Sequence, residues 1–131
     1  GNTFKSMIRD LSLDYPDFLI ASSEWFAFVP AKEYFDEPGD HADELETSVM
    51  MHYHPELVNL DEAGNGDYKK FTSQMLNEKV AWIPRNWQNV SQDTGIGNPK
   101  KASAGKGKKY AEAVVAKYAL LFEELVHKEL Y

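Results

Sequence analysis

From residue 103 to about 128 the chain places Tyr110, Val114, Tyr118, Leu121, Phe122 and Leu125 at helical spacing, the repeat of one buried helix face. Whatever this chain builds must cover that long aromatic stripe, and the remaining segments offer few elements to do it. Residues 3–14 put Phe4, Met7, Ile8 and Leu11 on one side of a shorter helix with Thr3 as its N-cap, and Pro16 ends it. Residues 18–29 are aromatic and aliphatic without helical punctuation, which predicts a largely buried strand; 80–87 reads as a second extended segment that Pro84 confines to a sheet edge. A loop over 30–40, with Pro30, Pro38 and Gly39, delivers the chain to a helix over 41–53 that stops before Pro55. Residues 55–79, broken by Gly64, Asn65 and Gly66, are expected to be loop followed by a short helix.

Helices alternating with buried extended segments predict an α/β fold in a single domain over 1–131. The sheet is incomplete, because two or three strands stand where about five or six are usual. Uncovered strand edges and apolar faces then call for a partner. The 131 residues, 43% apolar and 27% charged, are otherwise those of an ordinary globular domain. No apolar run approaches the roughly 18–20 residues that span a bilayer, and the first residues lack the apolar core of a signal peptide. The absence of cysteine removes disulfides, thiolate nucleophiles and Cys-based metal sites, and fits a cytoplasmic protein. A net charge of −7 argues against nucleic acid, whose binding is dominated by cationic contacts to phosphate.

The acidity belongs to the first half. Glu33, Asp36, Glu37, Asp40, Asp43, Glu44 and Glu46 gather within fourteen residues, and three of the four histidines stand at 41, 52 and 54, a combination that suggests a cation or a polar site. With about 100° of helical advance per residue, Leu45, Val49, Ala42 and Tyr53 define a buried face and Glu46 falls on its rim, a candidate buried carboxylate. His41, Ser48 and His52 then form a polar edge, with Glu44 further round. A carboxylate at 46 suits a structural role as well as a functional one, and His41 suits an ordinary helix start as well as catalysis. His52 and His54 would chelate a metal on a strand but point about 200° apart on a helix. His127 complements a helix dipole. Trp25, with Glu24, closes the expected first strand, where open α/β folds bind ligands. The basic run 103–109 lacks P-loop spacing, and no nucleophile elbow is present.

One segment narrows the field. His41-Ala42-Asp43-Glu44-Leu45-Glu46-Thr47-Ser48, followed by Met50, Pro55-Glu56-Leu57-Val58 and Asp61, closely resembles the His-Ala-Gly-Glu-Phe-Glu-Thr-Ser and Pro-Glu-Leu-Val signature of the creatininase (creatinine amidohydrolase) family. Ser23-Glu24-Trp25, Gly95-Ile96-Gly97-Asn98-Pro99 and Ala102-Ser103-Ala104-Gly105-Lys106-Gly107 resemble, in order, that family's Ser-x-Trp, Gly-x-Gly-Asp-Pro and Ala-Ser/Thr-x-x-Lys-Gly elements. The resemblance implies the C-terminal half of a three-layer α/β/α fold, an incomplete sheet flanked by helices. Gly1-Asn2 looks like the end of the family's Asn-Gly-His-Gly-Gly-Asn loop, so the ligands of its two-metal centre (zinc or manganese) would mostly lie upstream. It further implies that His41 shuttles protons, that Glu46 is the family's buried glutamate, and that Glu44 approaches the metals. Trp25 would wall a small-molecule pocket with Glu24, Glu37 and Asp40 beside it. Glu37 stands where creatininase itself carries an aromatic lid residue, so creatinine is not the expected substrate.

The expected function is thus one part of a metal-dependent hydrolase of non-peptide C–N bonds (amide, formamide or cyclic amide), inactive by itself. The alternatives are a truncated, non-catalytic domain that self-associates or pairs with an N-terminal half, and a binding module built on the acidic loop over 33–46.

Overall fold

The computed structural model describes residues 2–127 and 129; Gly1 of the resembled loop and the expected helix limit at Lys128 lie outside them. Five α-helices follow in chain order: α1 (Asn2–Asp14), α2 (Glu44–Tyr53), α3 (Gln74–Asn77), α4 (Trp87–Val90) and α5 (Ala104–His127). Single 3₁₀ turns form at Trp25–Ala27, Ala31–Glu33, Pro55–Leu57, Leu60–Glu62 and Pro99–Lys101.

The expected α/β architecture is not what forms. Among the described residues there is no strand, and antiparallel pairing is limited to two isolated bridges, His41 with Ile96 and Tyr68 with Ser91. Residues 19–24 belong to no helix or strand, and Phe18 and Leu19 remain exposed. A strand is defined by the ladder it shares with a neighbour, and this segment has none among the described residues. From Trp25 the backbone coils instead, because its aromatic residues have α5 to pack on. Residues 80–86 likewise form no strand, and Trp87 opens α4 rather than closing an extended segment.

The long helix anticipated from the aromatic stripe is α5, and its main packing partner is α2. Tyr110 is completely buried at the centre of a core with Val29, Phe35, Leu45 and Val114. The rings of Trp25 and Tyr34 meet Tyr110 edge-on, at 6.1 and 5.3 Å between centroids, the geometry favoured by the aromatic quadrupole. Its hydroxyl donates to the Phe26 carbonyl at 2.9 Å, so the one polar atom carried into the core is satisfied. Burial pushes the phenol above its ordinary value of 10.0. The two helices approach closely where Gly107 lies against the Ser48 carbonyl, a contact that a Cβ at 107 would overlap. Ser48, also completely buried, accepts the Ser103 N–H at 3.1 Å, and Ser103 in turn accepts the Lys106 N–H at 3.3 Å at the start of α5.

α1 forms over the expected residues, but Thr3 lies inside the helix rather than capping it, and the apolar side is poorly covered: Ile8 is half-buried while Phe4, Met7 and Leu11 are exposed.

Candidate active site

The site segment is built at the turn that leads into α2. The N–H groups of Asp40 and His41 both donate to the Ile96 carbonyl, at 2.8 and 3.1 Å, and Ile96 returns its N–H to the His41 carbonyl at 2.8 Å. His41 therefore sits in a two-stranded bridge, three residues before the helix it was expected to begin. Gly97 makes the bridge possible: at φ +121° it lies against Gly39 and Asp43, where a Cβ would come within 2.8 Å of the Gly39 Cα. Ala42 then turns the chain through the left-handed region, φ +49°, a conformation disfavoured for an L-residue. Two carboxylates hold it there. Asp43 is the N-cap of α2, accepting the Glu46 N–H at 2.9 Å and the Gly39 N–H at 2.5 Å, while Glu46 reaches back to accept the Ala42 N–H at 2.6 Å. This is a capping box displaced by one residue.

The two glutamates exchange the environments anticipated for them. Glu46, placed on the buried rim by helical angle, is 42% exposed. Glu44, placed on the polar edge, is 0% exposed. The face of α2 that meets α5 runs through Glu44, Leu45 and Ser48, because α5 supplies a cation there. Lys106 donates to Glu44 at 2.5 Å, to Asp36 at 2.9 Å and to the Lys101 carbonyl at 3.2 Å. The second Glu44 oxygen accepts the Glu37 N–H at 2.7 Å. A buried carboxylate with both oxygens engaged in this way forms a structural ion pair. Among the described residues no three His, Asp or Glu side chains converge as a metal site.

The acidic loop is also held in place. Glu37 pairs with Lys101 at 2.7 Å. The lysine hydrogen bonds keep Asp36 and Glu37 below their ordinary 3.8 and 4.5, and the same bonds raise Lys106 and Lys101 above 10.5. A cleft of about 620 Å³ is lined by Trp25, Glu46, Met50, Asn59, Glu62 and Asp93, among others, and by no lysine, arginine or histidine. Glu37 and Asp40 line a second, smaller cleft with Tyr68 and Asn98. Glu24 is exposed ahead of the Trp25–Ala27 turn and lines neither cleft. His52 lies within α2 and His54 caps its end, pairing with Glu56 at 3.2 Å.

His41 is brought beside Glu46, 3.9 Å from Nδ1 to the carboxylate, and beside residues that the sequence reading passed over. Its ring meets that of Trp87 with centroids 5.2 Å apart. The Arg85 guanidinium lies 5.3 Å from the Trp87 ring centroid and pairs with Asp40. Sequence pattern places Arg85 and Trp87 in an extended segment, and the Pro-Arg-x-Trp run is the one local signal they carry. Lys106 belongs to the basic run that lacks phosphate-loop spacing and to the family's Lys-Gly element, neither of which signals its place as the counterion of the buried Glu44.

Residues 1–122 match the family described as Creatininase, creatinine amidohydrolase. The chain belongs to the creatininase family. A crystal structure of a Bacteroides fragilis NCTC 9343 protein assigned as a creatinine amidohydrolase superposes with a TM-score of 0.91 at 59% sequence identity. The superposition covers 98% of this chain and 51% of that one, so the chain spans about half the length of that relative. Among proteins of curated function none matches at comparable significance. The creatininase match takes in both the His41–Ser48 segment and the start of α5, the two pieces that Lys106 ties together. No helix among the described residues is long and apolar enough to cross a membrane.

Proposed function

We propose that the chain supplies the proton-handling side of a creatininase-like amidohydrolase acting on a non-peptide C–N bond of a small molecule: an amide, a formamide or a cyclic amide. The observation that carries this reading is the pairing of His41 with Glu46 at the head of α2, in a chain whose family hydrolyses such bonds. A neutral imidazole can take a proton from an attacking water and hand it to the departing nitrogen. Glu46, held by the Ala42 N–H, lies within ion-pair reach of the imidazolium formed midway and offsets its charge. Trp25 provides an apolar wall to the cleft that Glu46 lines. The family is generally metal-dependent, and no group of side chains described here is suited to hold the ion. In this reading the metal ligands come from the other half of a family-length protein, of which this chain corresponds to the C-terminal part.

The exposed side of α1 supports a second reading, in which the chain is a non-catalytic piece that associates with itself or with a separate N-terminal half. One experiment separates the two. A panel of cyclic amides and formamides is offered to the chain with Zn²⁺ or Mn²⁺, alone and together with the segment that completes a family-length protein. Hydrolysis in the completed assembly that His41→Gln and Glu46→Gln each reduce by about 100-fold or more supports the enzymatic role. Hydrolysis that both variants leave intact removes these residues from the chemistry, and a completed assembly with no hydrolysis favours the second reading.

A further inference from the structure

We propose that Trp87 is a positioning residue for His41, held in register by Arg85 and Asp40. The inference rests on the reading of His41 as the proton carrier. The backbone bridge with Ile96 fixes where His41 leaves the chain but not where its ring points, and the side chain is about half exposed. Two contacts define the ring's sides: Glu46 at 3.9 Å and the Trp87 ring at 5.2 Å, with 52° between the planes.

Trp87 is itself braced. Arg85 lies over its ring and pairs with Asp40, the residue preceding His41. Asp40, Arg85, Trp87 and His41 thus close a circuit of side chains that begins and ends on adjacent backbone positions. Asp36 and Glu37, the nearest acids upstream, are engaged instead by Lys106 and Lys101. A closed circuit matters for proton transfer: an imidazole free to rotate spends little of its time aligned with the group it must protonate, and small misplacements of a catalytic group cost large factors in rate. An aromatic face also accepts the imidazolium as a cation–π partner without competing for its N–H groups.

The test reads the ring itself. In two-dimensional NMR of this chain, the His41 imidazole signals, identified by their loss in His41→Gln, are expected to show cross-relaxation with the Trp87 indole and an upfield ring-current shift. Trp87→Leu should remove the shift while leaving the backbone spectrum of α2 and α5 in place; Trp87→Phe should retain part of it, and Arg85→Gln should reduce it. Absence of His41–Trp87 cross-relaxation in the parent chain overturns the proposal whatever the variants do, as does an unchanged His41 shift in a folded Trp87→Leu chain. In the completed, hydrolysing assembly Trp87→Leu should lower kcat by about 10- to 100-fold with KM moved less, and Trp87→Phe should recover most of it. Retention of activity by His41→Gln would sink the assignment of His41 as the proton carrier, while the cross-relaxation result would still decide whether Trp87 positions its ring.

Discussion

The junction of α2 with α5 and the arm formed by α1 and residues 15–24 are both rich in aromatic and aliphatic side chains, yet they satisfy them in opposite ways. At the junction, Tyr110 is wrapped by rings, its hydroxyl has a carbonyl, Ser48 has an amide, and the one fully buried acid has a lysine. On the arm, Phe4, Phe18 and Leu19 stand in solvent and no strand pairs with residues 19–24. The contrast shows where the chain's own interactions suffice. The turn carrying His41 is fastened to the self-sufficient region through Asp43, Glu44 and Gly97, whereas the arm leaves large apolar side chains exposed and is tied to α5 through the Ser23–Tyr118 hydroxyl hydrogen bond at 2.7 Å.

Three measurements would break or sharpen this contrast. The largest effect is expected from paired truncations. Tyr110→Ala should cost about 3–5 kcal/mol by urea unfolding, the usual penalty for emptying a buried aromatic site, while Phe4→Ala, 60% exposed, should stay within about 0.5 kcal/mol. Equal losses would mean that the arm is as integrated as the junction. Next, Gly107→Ala should destabilise by about 1–3 kcal/mol, because its methyl meets the Ser48 backbone rather than a side chain able to move away. An unchanged unfolding midpoint would show that α2 and α5 are not in close contact.

The smallest effect should be the pH dependence of the lysine–carboxylate pairs. Asp36 and Glu37 have folded values below 3.8 and 4.5, so their contribution is complete above those values and is lost as pH falls through the lowered ones. Lys101 and Lys106 lie above 10.5, so theirs is complete below that value and is lost as pH rises through the raised ones. Stability from these pairs should therefore be level between 4.5 and 10.5 and decline on either side. The pairs are partly exposed, so added salt should flatten both limbs. A change of unfolding midpoint centred near neutral pH would point instead to a histidine.

Much of the helical content was legible in advance. α5 is announced by the regular spacing of its apolar residues from Tyr110 to Leu125, and α1 by four apolar residues and a proline stop, because helical hydrogen bonds are local and sequence period alone can report them. The strands were not legible in the same sense: residues 18–29 have the composition of a buried strand, but pairing depends on a neighbour that composition does not name. The site divided along the same line. His41 and Glu46 were singled out and lie side by side, while the burial of Glu44 was missed because the helical wheel took no account of a lysine 62 positions away in the chain. Trp87 and Arg85 were missed for the related reason that an aromatic and a guanidinium in a loop carry no periodic signal.

What the sequence determined by itself was the presence of α1, α2 and α5 and, through the His41–Ser48 segment, membership of the creatininase family. Only the tertiary structure decided which glutamate is buried, what lies against the histidine ring and that the anticipated sheet does not form. Helix periodicity and caps are written over a few consecutive residues, whereas an acid's burial, a ring's neighbour and a strand's partner are contributed by segments far apart in the chain, whose meeting depends on the whole balance of packing and desolvation.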